Sequence, residues 1–102
     1  MAEFVTVAQT TDVPPGSIIL VDLDDEGVAI ANVNGEFYAF DAECTHAGGP
    51  LDEGDLEGGT VICPWHGGEF DVKSGKVLAP PAQEEVSTYQ VRVEGTDIKI
   101  AK

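Results

Sequence analysis

Cys44, His46, Cys63 and His66 are all the cysteines and histidines of a 102-residue chain. They fall into two pairs, Cys44-Thr45-His46 and Cys63-Pro64-Trp65-His66, with sixteen residues between them. Thiolates and imidazoles act as nucleophiles, cross-links or metal ligands. A nucleophilic Cys–His pair would account for one pair and leave its match unexplained. A Cys44–Cys63 disulfide would use the sulfurs and ignore the imidazoles. Two Cys and two His suit a tetrahedral structural zinc, although Cys-x-His is not the usual half of such a site. An iron–sulfur cradle takes the same donors. Residue types alone leave the two metal readings open.

Glycines flank both pairs, Gly48-Gly49-Pro50 after the first and Gly67-Gly68 after the second. They let backbone approach a bulky group and aim N–H donors at it. The surrounding elements read as short strands rich in β-branched residues: Phe4 to Val7, Ile18 to Leu23 and Val28 to Val33. Asp24 to Gly27 makes one turn, and Asn34-Gly35 is a strong hairpin signal leading into Glu36 to Phe40. Thr60 to Cys63 and Glu69 to Val72 flank the second pair, and Lys73 to Lys76 turns into Val77-Leu78. Tyr89 to Val93 and Asp97 to Ile100 form a last hairpin around Glu94-Gly95. A short helix at Thr11 to Val13 is ended by Pro14-Pro15-Gly16. Asp41 to Gly59 reads as a long irregular loop, which in a compact domain marks function. Turns this frequent predict an all-β sandwich or barrel.

The length predicts a single domain, residues 1–102. Nineteen acidic against five basic residues give a formal charge of −14. That argues strongly against nucleic acid and anionic membrane as partners, since both reward Lys/Arg clusters; the charge either favours proteins with basic docking patches or simply keeps the protein soluble. The chain shows no membrane-length apolar run and no signal-like N-terminus, so a cytoplasmic location is expected. In a reducing compartment two cysteines serve better as ligands than as a disulfide.

Cys44-Thr45-His46 with Cys63-Pro64-Trp65-His66-Gly67 resembles the signature of Rieske proteins, whose 2Fe–2S centres carry two His on one iron. The resemblance covers nearly the whole chain. It implies an antiparallel β-sandwich base with a small two-loop cluster-binding subdomain at about 41–72, and a proline-bearing loop against the cluster at Leu78-Ala79-Pro80-Pro81-Ala82. It implies that Cys44 and Cys63 hold the inner iron of one 2Fe–2S cluster, and that His46 and His66 hold the outer. The added electron would then sit toward the histidine edge, where it can leave.

Departures point to a branch. The respiratory Rieske proteins carry an extra Cys in each loop, joined as a disulfide, and a Ser and a Tyr after the second motif that donate to cluster sulfur. Here those positions hold Gly49, Trp65, Gly68 and Phe70. Fewer donors to cluster sulfur imply a potential toward the low end of the roughly −150 to +300 mV span of Rieske centres. Trp65 could shield the cluster, dock a partner, or simply pack. Asp52, Glu53, Asp55 and Glu57 are either an acidic rim or a solvated loop, and Asp24-Asp25-Glu26 reads as a solvated turn.

Two histidines, both used as cluster ligands, leave none for the second iron site of an oxygenase. No catalysis of its own is therefore expected. The resemblance implies a soluble one-electron carrier between an NAD(P)H-dependent flavin reductase and a terminal oxygenase acting on aromatic compounds. The Rieske-like small subunit of a reductase, such as nitrite reductase, is the alternative, with a structural zinc module behind it.

Overall fold

A computed structural model describes residues 3–23, 26–42, 50–64, 67–79 and 85–101. The Asp24-Asp25 tip, the 43–49 loop with Cys44, His46, Gly48 and Gly49, the Trp65-His66 pair and the 80–84 segment lie outside these. Eleven antiparallel strands are described: β1 (Phe4–Gln9), β2 (Ile18–Leu23), β3 (Glu26–Val33), β4 (Glu36–Asp41), β5 (Asp55–Glu57), β6 (Thr60–Ile62), β7 (Glu69–Asp71), β8 (Val77–Ala79), β9 (Thr88–Tyr89), β10 (Val91–Glu94) and β11 (Asp97–Ala101). They form sheets of order β1-β11-β10, β2-β3-β4-β9 and β5-β6-β7-β8. The all-β antiparallel expectation holds. Among the described residues no helix is long and apolar enough to cross a membrane.

The β2-β3-β4-β9 sheet is the middle layer, and β3 shows why. Val28 through Asn32 are all buried, as befits a strand covered on both faces. Side chains alternate across a strand, so Val28 and Ile30 join Ile98, Ile100 and Val13 in one core. Ala29 and Ala31 join Phe40, Leu51, Val61 and Phe70 in a second. Large residues thus face the three-stranded sheet, and small ones face the sheet that carries the second ligand pair.

Local chemistry sets the turns. Asn34 at φ 53° and Gly35 at φ 93° form the left-handed pair of a type I′ hairpin. Asn32, buried beside it, donates from Nδ2 to the Val13 carbonyl at 2.7 Å and accepts the Gly35 N–H at 2.7 Å. That side chain welds the hairpin to the end of a 3-10 turn at Thr10–Asp12, which replaces the helix expected at Thr11 to Val13.

Three other expectations are corrected. Asp41 to Gly59 is not wholly irregular: a 3-10 turn at Leu51–Glu53 and strand β5 lie within it. Three residues carry too little alternation to register as a strand, yet half-buried Leu56 packs on the core and Gly58, at φ 60°, turns the chain into β6. Tyr89 to Val93 is two strands rather than one. β9 pairs with β4 and β10 with β11, the chain crossing between layers at Gln90, whose carbonyl accepts the Ala101 N–H at 3.0 Å. Finally, Glu26 and Gly27 belong to β3, paired with Leu23 and Asp22, so the preceding turn is tighter than Asp24 to Gly27.

Candidate metal centre

The four-stranded β5-β6-β7-β8 sheet carries the second ligand pair. Cys63 directly follows β6, on the same face as Val61 two residues earlier, and is only 2% exposed. Its N–H donates to the Gly68 carbonyl at 2.7 Å. That bond ties the chain before the Trp65-His66 pair to the chain after it, and Gly67, at φ 75°, holds a left-handed conformation that a β-carbon would strain. Gly68 returns buried into β7.

The first ligand loop is closed in the same way. Leu51 N–H donates to the Ala42 carbonyl at 2.7 Å, so residues 43–50 leave and rejoin the fold at one point. Ala42 is in turn held by its N–H on the Gly27 carbonyl at 3.1 Å. Ala42, Leu51 and Cys63 are all buried members of one core, with Val61, Phe70 and Val72. Burying a side chain like Leu51 contributes about 2 kcal/mol, enough to pin the loop end without further ties. The structure therefore brings the bases of both loops to a single apolar patch.

Gly54 explains how they approach so closely. A β-carbon there would stand 2.1 Å from the Ile62 carbonyl oxygen, just before Cys63. Gly75 plays a matching part for the proline-bearing segment. At φ 78° its β-carbon would meet the Val86 carbonyl oxygen at 2.1 Å, and its own carbonyl accepts the Val86 N–H at 2.9 Å. With Ala79 paired to Glu69, both ends of the 80–84 segment are anchored beside β7. Neither close approach stood out in the sequence, because each depends on how the chain folds back on the glycine rather than on its immediate neighbours.

Electrostatics around the loop roots is set by one contact. Tyr89 OH donates to Asp41 Oδ1 at 2.5 Å. Burial first, and then this bond to a carboxylate, push the phenol's ionisation well above its ordinary value. Of the suggested acidic rim, Asp52, Asp55 and Glu57 line a cavity of about 560 Å³ against Gly16 and Ser17, at the start of β2. Asp71 instead caps its own turn, accepting from the Lys73 N–H and Ser74 Oγ at 3.0 Å each. Phe70 is fully buried, and Leu78 is 54% exposed on β8.

Of the four sequence-assigned ligands, Cys63 is described, while Cys44, His46 and His66 lie outside the described residues. What is described fits a bound cluster. A thiol backed by an apolar core, in a glycine-cornered loop beside a second closed loop, presents sulfur to a bulky group while keeping water from its rear. The remaining Cys and His of the sequence, Cys44, His46 and His66, are of the donor types that would complete the ligand set of a mixed-ligand 2Fe–2S centre.

Comparison with known proteins agrees with this site. The biphenyl dioxygenase ferredoxin subunit of Pseudomonas sp. (strain KKS102) is 42% identical over 98 residues, covering 95% of this chain and 90% of that protein. The solved ferredoxin of carbazole 1,9a-dioxygenase from Nocardioides aromaticivorans IC177 superposes with a TM-score of 0.92 at 34% identity, covering 96% of each chain. A chain in the complex of reduced oxygenase and oxidized ferredoxin in carbazole 1,9a-dioxygenase gives a TM-score of 0.91 at 31% identity, covering 96% of this chain and 92% of that one. The Rieske [2Fe-2S] domain matches residues 3–90, and with the two closed loops around Cys63 this establishes that the chain belongs to the Rieske [2Fe-2S] domain family, whose 2Fe–2S cluster is its cofactor.

Proposed function

We propose that this protein is the ferredoxin component of a multicomponent aromatic-ring dioxygenase system, taking single electrons from a flavin-dependent reductase and delivering them to a terminal oxygenase. The observation that carries this reading is the convergence of both ligand-loop bases on one buried patch that includes Cys63. The relatives are ferredoxin components, and one solved neighbour is a ferredoxin complexed with its oxygenase.

In this reading Cys44 and Cys63 ligate the inner iron as thiolates, and His46 and His66 ligate the outer through one ring nitrogen each. When bound, the cluster supplies reversible one-electron exchange. The chain's own residues hold and shield it: the Cys63 loop stays rigid through its bond to Gly68, and Phe70, Leu51 and Val61 exclude water behind it. The relatives are named as ferredoxin components of dioxygenase systems, and in this reading the protein likewise carries electrons and leaves the chemistry on the aromatic substrate to the oxygenase. Its partners recognise it by charge, five cations against nineteen anions demanding basic docking surfaces. A cytoplasmic location is consistent with this role.

Purified protein should be red-brown, bleach with dithionite and contain iron and sulfide in equal amounts. Cys63→Ser and His66→Ala should each abolish that spectrum. A colourless, zinc-containing product would overturn the ligand assignment, and co-purification as a fixed subunit of a large reductase would overturn the carrier role.

A further inference from the structure

Asp41 ends β4, and the Cys44–His46 loop begins directly after Ala42. The Asp41 backbone is held on both sides, paired with Val28 of β3 and donating its N–H to the Ser87 carbonyl at 2.9 Å. The side chain is held as well, by the Tyr89 hydroxyl at 2.5 Å. Tyr89 lies 48 positions away in the chain and packs against the base core that contains Ile30, Ala39 and Ile98. Its ring is therefore seated in the rigid sandwich while its hydroxyl reaches the root of the first ligand loop. A tyrosine phenol keeps its proton throughout the neutral range, and burial followed by the bond to Asp41 pushes the ionisation of this one higher still.

We propose that Tyr89 is a positioning residue for the cluster: by donating to Asp41 it anchors the first ligand loop to the base and partly neutralises a carboxylate three positions before Cys44. The inference rests on Cys44 and His46 being ligands. It has a mechanical and an electrostatic consequence, and they separate. Losing the bond frees the loop root, so the cluster is held less firmly. Leaving the Asp41 charge without its donor opposes the negative charge that reduction adds, so reduction becomes harder.

Two variants read the two consequences. Tyr89→Phe keeps the ring in the core and removes only the donor. Its midpoint potential should fall, and cluster release to an iron chelator should quicken by about tenfold, the lower end of what outer-shell partners contribute. Asp41→Asn keeps an oxygen that accepts from Tyr89 but removes the charge. Its midpoint should rise while release keeps the wild-type rate. A Tyr89→Phe protein with unchanged midpoint and unchanged release overturns the proposal, as does one altered only in melting temperature. If Tyr89→Phe does not fold, Asp41→Asn decides alone, and an unchanged or lowered midpoint overturns the proposal. Wild-type protein without the 2Fe–2S absorption and electron-spin signature would overturn the ligand assignment instead, a failure visible before any variant is made.

Discussion

By the Rieske resemblance, Gly68 and Phe70 stand where the respiratory proteins place hydroxyl donors to cluster sulfur, and their lack of a hydroxyl should keep the potential low. Both are buried, and Phe70 shares the Cys63 core, so neither offers a hydroxyl where related centres have donors to cluster sulfur. A net hydrogen bond contributes about 0.5–1.5 kcal/mol, which for one electron, at about 59 mV per tenfold change, is roughly 20–60 mV. Gly68→Ser with Phe70→Tyr should raise the midpoint by an amount of that order for each bond formed, as measured by voltammetry. An unchanged midpoint would remove hydrogen bonding as the reason for a low potential. Gly54 acts through space rather than charge. Gly54→Ala would drive a β-carbon to 2.1 Å from the Ile62 carbonyl oxygen and should cost about 1–3 kcal/mol, as overpacking does. Urea denaturation should show a lower midpoint at unchanged slope, together with a perturbed visible spectrum, because Ile62 precedes Cys63.

At the level of elements, β3 couples the sandwich to the site. Its Val28 and Ile30 face the three-stranded sheet, and Ala29 and Ala31 face the β5-β6-β7-β8 sheet. Substitutions on the two faces should therefore differ in kind as well as in size. Ala31→Leu should destabilise by about 1–3 kcal/mol by overpacking and also shift the cluster's absorption, since it displaces the sheet bearing Cys63. Ile30→Val should cost about 0.5–1.5 kcal/mol and leave the spectrum alone. Circular dichroism in the visible region, read beside denaturation curves, separates the two. The same layering explains the break at Gln90: a strand that continued straight would serve one sheet, and the base needs both.

The whole molecule is strongly anionic, and its few cations fall on both outer sheets, with exposed Lys73 and Lys76 on the turn between β7 and β8. Arg92 and Lys99 lie on the three-stranded sheet, both near Glu94, at 3.8 and 3.2 Å, with Arg92 stacked 4.2 Å over the Phe4 ring. Across the middle layer, β5 and β7 present Asp55, Glu57, Glu69 and Asp71. A net charge of −14 should draw a basic partner during approach. Electron transfer to a protein partner should slow by at least about tenfold as the Debye length falls from about 30 Å at 0.01 M salt to about 3 Å at 1 M. Reduction by an uncharged small molecule, followed by stopped-flow absorbance, should not. Equal salt dependence in the two would show that charge does not guide the encounter.

Much of this was legible in the residues alone. The two Cys/His pairs, the Asn34-Gly35 hairpin and the alternation in β2, β3 and β4 are local signals, each complete within a few neighbouring positions. Residue type and spacing left zinc and an iron–sulfur cluster open, and the resemblance of the two half-motifs to the Rieske signature pointed to the cofactor without coordinates. β5, the layer change at Gln90, the close approach at Gly54 and Gly75 and the reach of Tyr89 to Asp41 left no such mark. Each depends on a contact beyond its immediate neighbours: Gly54 meets Ile62 across the β5–β6 hairpin, Gly75 meets Val86, and Tyr89 reaches Asp41 over 48 positions. A glycine needed because another strand's carbonyl stands 2.1 Å from its absent β-carbon looks, in a sequence, like any glycine in a turn. Short-range chemistry is written in neighbouring residues; the way the cluster is held depends on which distant backbones pack together, and that appears only once the layers are in place.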